Sequence, residues 1–209
     1  GAGLRTLSLR IDGVEPDPAA ITMGDETLTI SAGALPGGSF TLSTEVEIDP
    51  ERNTALEGLY LSGGIFCTQC EAEGFRHITW YPDRPDVMAP FRVQIRSDLP
   101  VLLSNGNPVA AEPGLAEWHD PWPKPAYLFA LVAGELEALS DRFTTITGRD
   151  VALNVWVRPG DLPRAGFAME ALKKSVVLDK GWDVVDFAQQ MQGIAGGDIS
   201  FQTIPIELE

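Results

Sequence analysis

The sequence predicts a mainly β fold, an antiparallel sheet or sandwich followed by a short α/β tail of helix, helix and strand. Three observations predict it. Apolar and polar residues alternate over short runs through most of the chain. Gly, Pro and Asp punctuate those runs where turns would fall. Beyond Asp161 the apolar spacing lengthens to that of helices. We therefore expect a β body over residues 1–160 and a helical linker with an α/β tail over residues 161–209.

Taken in order, residues 4–11 (LRTLSLRI) place Leu4, Leu7, Leu9 and Ile11 near alternate positions, the period of a half-buried strand. Residues 26–31 (ETLTIS) alternate around Leu28 and Ile30. Gly37 and Gly38 then turn the chain into residues 39–48, where Phe40, Leu42, Val46 and Ile48 are the expected inward side chains. Pro50 ends that run. Residues 88–96 alternate through Phe91, Val93 and Ile95, and residues 101–104 lead into Asn105–Gly106, a dipeptide suited to a tight hairpin. Trp118 sits on an expected strand, and residues 119–125, with three prolines, read as a rigid loop. Residues 127–133 (YLFALVA) read as a buried strand, and residues 143–145 and 151–157 flank Gly148 as a hairpin.

In the tail, Asp161 is the expected helix cap with Pro163 in the first turn, and Phe167, Leu172 and Val176 share the expected inward side. A second helix over residues 182–192, closed by Gly196 and Gly197, and a strand over residues 199–206 complete the reading.

With 15 Lys and Arg against 30 Asp and Glu, the formal charge is −15. Such a surface repels phosphate backbones and anionic membranes, so neither nucleic acid nor membrane is an expected partner. The longest apolar run is far short of the ~20 residues that cross a bilayer. The first residues lack a basic segment followed by an apolar one, so no secretory leader is expected. Two cysteines close together make a poor disulfide framework, which favours a reducing, cytoplasmic setting.

The densest run of reactive residues is 53–86, with both cysteines, His77, Gln69, Glu71, Glu73 and Arg76 among short pieces broken by Gly58, Gly63, Gly64 and Gly74. Cys67-Thr-Gln-Cys70 has the spacing of a zinc or redox pair. A structural zinc site needs four ligands, however, and no second pair exists; buried thiols packed as small apolar groups are the expected state. Neither histidine is followed by Glu, so H-E-x-x-H is absent, and so is G-x-S-x-G. His119 beside Asp120 is expected to be a hydrogen-bonded strand-end residue rather than a base. Glu71 and Glu73 point the same way in a strand and can converge on a cation in a loop. Their plainer role is surface charge, with Arg76 and Arg84 as neutralising partners for them or for Asp83 and Asp86. Residues 166–171 (GFAMEA) resemble G-A-M-E-N but lack its Asn and fall on an expected helix. Trp118, Trp122 and Tyr127 are expected to be packing aromatics.

A longer resemblance supplies what spacing does not. NTALEGLY, CTQCEAEGFRHITWYPDRPDV, LLSNGN, EWHDPWPKPAYLFALVAGEL, DRFTT, TGRDVAL and FAMEALKKS resemble the N-terminal β domain of the bacterial aminopeptidase N family, gluzincin zinc exopeptidases, over about residues 4–175. The resemblance implies a saddle-like antiparallel β domain closing one side of an active-site cleft. It also implies that Gln69 and Glu71 hold the substrate's free α-amino group and first side chain. The family's catalytic groups, the G-A-M-E-N loop, the H-E-x-x-H…E zinc site and a transition-state tyrosine, are absent from this sequence. No catalytic residue, metal ligand or cofactor is therefore expected in the chain, and zinc belongs to a catalytic domain in cis or in trans. The family's first strands before Leu4 are not seen.

From Val176 the chain departs from the family. Residues 176–209 resemble part of a LytR-CpsA-Psr domain, without that family's arginine-rich lipid-phosphate site, which leaves a chimera, a selected fusion or a truncated gene product as the readings of the junction. The leading expectation is a fragment that contributes the α-amino side of an aminopeptidase cleft and is not catalytic alone. Two alternatives are a subunit whose zinc domain sits on a partner chain, and an engineered or chimeric structural module without activity.

Overall fold

A computed structural model describes residues 4–145, 148–178 and 202–207. In chain order the strands are β1 (Arg5–Ile11), β2 (Ile21–Met23), β3 (Leu28–Ile30), β4 (Leu42–Glu47), β5 (Gly58–Ser62), β6 (Ile65–Gln69), β7 (Met88–Arg96), β8 (Val101–Ser104), β9 (Asn107–Glu112), β10 (Leu115–Pro125), β11 (Leu131–Gly134), β12 (Glu137–Thr144), β13 (Asp150–Val157) and β14 (Gln202–Glu207). Helix α1 spans Gly166–Leu178. Antiparallel pairing joins β1 to β4, β2 to β3, β5 to β6, β9 to β10 and β12 to β13, while β14 runs parallel to β7. The fold is thus mainly antiparallel β, as expected. The expected helix over residues 182–192 and its closing glycines lie outside the described residues.

The chain divides into two compact units, Gly1–Met88 with Lys124–Val132, and Ala89–Pro123 with Ala133–Glu209. In the first, Leu59, Phe66, Cys70, Phe75, Ile78, Phe129 and Leu131 are buried. Phe75, with no exposed surface, meets the rings of Tyr81 and Phe129 edge-on at 5.2 and 5.0 Å. The second unit contains the sheet β14-β7-β10-β9. Ala89, Phe91, Val93 and Ile95 of β7 are all buried, so the period of two read from the sequence is the period observed.

Several elements differ from expectation, each for a local reason. In β1, Leu9 and Ile11 are buried but Leu7 is exposed. The register slips between Thr6 and Ser8, which leaves Leu7 as the extra residue of a bulge and turns it off the core face. Phe40 lies before β4 and is exposed. Asn105–Gly106 turns the chain, with Gly106 at φ +86, but β9 pairs with β10 through a turn at Gly114 and not with β8. Gly106 is needed chiefly for space, because a Cβ there would lie 2.3 Å from the His119 carbonyl oxygen. Residues 119–125 are not a loop: β10 continues through Pro125, since proline fixes φ but leaves ψ free to stay extended. Residues 127–133 are only partly strand. A 3-10 turn over Ala126–Leu128 precedes β11 and leaves Leu128 exposed.

At Asp161 the chain enters a 3-10 turn, Leu162–Arg164, rather than α1 directly. The Asp161 carboxylate makes no capping bond there and accepts from the Arg164 guanidinium at 3.2 Å. That extra turn resets the helix phase. Ala165 and Met169 are the buried positions and Leu172 and Lys173 the half-buried ones, whereas Phe167, expected inward, is 85% exposed. Helix α1 packs on β12 and β13, and the Lys173 ammonium donates to the Asp141 carboxylate on β12.

Candidate functional site

Residues 53–86 build one continuous structure within the first unit. The Asn53 side-chain amide donates to the Glu57 and Leu59 carbonyl oxygens at 2.7 and 2.9 Å, closing the turn that delivers Gly58 into β5. Gly58 pairs with Gln69, at the end of β6. Thr68 fixes that end from the side, its hydroxyl accepting from the Leu131 N–H at 2.9 Å. Beyond Gln69 the chain turns through Cys70 and Glu71, closed by the Gly74 N–H donating to the Cys70 carbonyl at 2.8 Å. A short 3-10 turn, Phe75–His77, follows.

Behind the turn lies a half-buried ion pair, its carboxylate buried and its guanidinium partly exposed. The Asp83 side chain, 4% exposed, accepts from the Arg76 backbone N–H at 3.1 Å and from its Nε at 3.2 Å, while an Arg76 terminal amino group donates to the Asp83 carbonyl at 2.9 Å. The neighbouring groups register this anion. Burial, and then the Asp83 charge, push the Cys70 thiol up to about 12 and raise Tyr81 in the same order. Tyr60 is also raised, first by its hydrogen bond with Cys67 and then by burial.

The charges around the turn are matched off. Arg76 also meets Glu73 at 3.4 Å, His77 meets Glu57 at 3.3 Å, and Arg84 holds Asp86 through two hydrogen bonds of 2.9 and 2.7 Å. Of the carboxylates between Glu57 and Asp86, Glu71 is the one with no ion-pair or hydrogen-bond partner among the described residues. It is exposed, as is Gln69, whose side-chain amide donates to the Glu71 carbonyl oxygen at 3.2 Å. The two residues singled out in the sequence thus stand together, with a free carboxylate beside an amide held by the same turn. The sequence offers Asp83 as one possible partner of Arg76 and marks Gly58 and Gly74 as breaks, but it does not show the Asn53 bonds or the close approach of the two glycines. The glycine spacing is the available signal, and their contacts appear only once the chain is folded.

The metal and redox readings find no geometry here. Cys67 and Cys70 are free thiols, Cys70 buried. Among the described residues no three His, Cys, Asp or Glu side chains converge as a metal site, so the donors present do not fit a zinc ion. His119 lies within β10. Among the described residues, no helix is long and apolar enough to cross a membrane.

Comparison with known proteins identifies the family and the fold. The chain is 52% identical to aminopeptidase N of Caulobacter vibrioides over 187 residues, 86% of this chain and 21% of that protein. It superposes on the crystal structure of Legionella pneumophila aminopeptidase A in complex with aspartic acid, with a TM-score of 0.77 and 28% identity, covering 98% of this chain and 24% of that one. The chain therefore spans about a fifth of the curated relative's length. A stretch of 37 residues, 18% of this chain, is 49% identical to the cell wall biosynthesis protein LcpA of Corynebacterium glutamicum, 7% of that protein, which lends the LytR-CpsA-Psr resemblance weak support. Residues 17–128 match the Peptidase M1 N-terminal domain, more than half of the chain, and the chain belongs to that family.

Proposed function

We propose that this chain supplies the wall of a peptide cleft that receives the substrate's free α-amino group, with Glu71 as the counter-ion and Gln69 as the orienting amide. The zinc chemistry belongs to an M1 catalytic domain in cis. The observation that carries this reading is the unpaired, exposed Glu71 carboxylate beside Gln69, in a segment where Glu73, Asp83 and Asp86 each meet an arginine and Glu57 meets the His77 imidazole. An ammonium can give that carboxylate a charge-assisted hydrogen bond; an N-acylated peptide cannot. The specificity that follows is for amino termini. On this reading the chain by itself is non-catalytic and works in a cytoplasmic setting, as part of an enzyme whose zinc site lies in another domain.

The test is titration of the 15N-labelled chain with L-alaninamide and with N-acetyl-L-alaninamide, following the Gln69 side-chain amide and the Ala72 backbone amide. Saturable shifts are expected with the free amine alone. Glu71→Gln should weaken them at least about tenfold, equal to about 1.4 kcal/mol. Equal response to both ligands overturns the reading. So does turnover of alanyl-p-nitroanilide by the chain with added zinc, if it survives repurification.

A further inference from the structure

We infer that Gly74 is a positioning residue for the Gln69–Glu71 pair, acting through the space its missing side chain leaves; the inference rests on the amine-binding reading above. Gly74 has φ −79° and ψ −22°, a conformation any residue adopts. Backbone freedom therefore does not explain the glycine. Space does: a Cβ at this position would lie 2.3 Å from the Gln69 carbonyl oxygen, 2.9 Å from the Cys70 Cα and 3.1 Å from the Gly58 N. All three are backbone atoms, which cannot rotate aside as a side chain can. The first two belong to the residues that lead directly into Glu71.

The contact is reciprocal. Gly58, opposite Gln69 in the β5–β6 ladder, would place a Cβ 2.9 Å from the His77 Cβ and 3.1 Å from the Gly74 carbonyl oxygen. Two glycines thus let the start of β5, the end of β6 and the turn before Phe75–His77 approach at backbone distance. The turn cannot relieve a clash by retreating. Phe75, the next residue, is wholly buried between Tyr81 and Phe129, and Arg76 is tied by backbone and side chain to Asp83. Any group added at Gly74 must push outward on Gln69 and Cys70. Restoring a 3.0 Å contact from 2.3 Å requires a shift of about 0.7 Å, delivered to the pair that would grip the amine. Misplacements of about 1 Å at a binding or reacting group can cost on the order of a hundredfold.

Gly74→Ala tests this, with Gly64→Ala as the control. Gly64 lies in the neighbouring β5–β6 turn at φ +81°, with no atom within 4 Å of where its Cβ would stand, so its substitution strains the backbone without crowding it. Both variants should lose stability. Only Gly74→Ala should weaken L-alaninamide at least tenfold; Gly64→Ala should stay within twofold of the parent chain. Equal binding by Gly74→Ala and parent, or equal losses in the two variants, overturns the inference. The crystal structure of Gly74→Ala separates the two possible failures. Glu71 unmoved overturns the positioning role, whereas Glu71 displaced in a chain whose parent form ignores the amine overturns the amine reading instead. If Gly74→Ala does not fold, Gly58→Ala probes the same contact from the opposite strand, adding to the backbone strain of its φ of +72°, which Gly64→Ala shares, a Cβ 2.9 Å from the His77 Cβ. It should weaken the amine in the same direction, and unchanged binding there overturns the inference.

Discussion

At the scale of single residues, Cys70 and Glu71 are neighbours with opposite circumstances. Burial and the Asp83 anion hold Cys70 as a neutral thiol, pushed up to about 12, while Glu71 stands exposed and unpaired. The folded thiol binds its proton more tightly than the unfolded one, whose ordinary value is 9.0. Its contribution to stability is therefore complete below about pH 9 and declines as the pH rises from there towards 12. Cys70 should resist iodoacetamide at pH 8 in the native chain and react at once in urea, as mass spectrometry of the two cysteine peptides would report. Native-state alkylation of Cys70 would contradict its burial. Gln69 and Glu71 are legible in the sequence through a long motif. Asp83 is legible only as one of several acids near two arginines, because choosing its partner requires the fold that puts it 3.2 Å from Arg76 Nε.

At the scale of elements, periodicity locates strands well and faces less well. The alternation of β7 holds through Ala89, Phe91, Val93 and Ile95. In β1 one bulged residue suffices to expose Leu7, and in α1 one 3-10 turn suffices to exchange Phe167 for Met169 as the inward residue. Such one-residue phase changes leave composition untouched, so a pattern read from sequence passes over them. The corrected face of α1 makes a sharp prediction. Met169→Ala, removing a side chain 3% exposed, should cost about 2–4 kcal/mol in urea denaturation, whereas Phe167→Ala should change stability by less than about 0.5 kcal/mol. The face assigned from the sequence would give the reverse order.

At the scale of the whole molecule, the β class and the family resemblance are legible in the sequence, since both rest on many residues at once. A strand near residues 199–206 is legible too, but not that strand's partner. The observed β14 pairs with β7 in parallel, Gln202 opposite Phe91 through Glu207 opposite Arg96. No local signal specifies a partner more than 100 residues away; only the free hydrogen-bonding edge of β7 does. Removing residues 179–209 should therefore lower the unfolding free energy by about 2–4 kcal/mol, several net backbone hydrogen bonds at ~1 kcal/mol each. An unchanged urea midpoint would show that β14 is no part of the cooperative unit.

The position of β14 at the end of the sheet β14-β7-β10-β9 also bears on solubility. From Phe91 to Arg96, β7 alone would present a row of amides and carbonyls on a strand whose apolar side chains are buried, the template on which chains add to one another edge to edge. β14 covers that row from Phe91 to Arg96. With that edge covered, a concentrated solution of the intact chain should resist fibrous association better than one lacking residues 179–209, in addition to the mutual repulsion of molecules carrying a formal charge of −15.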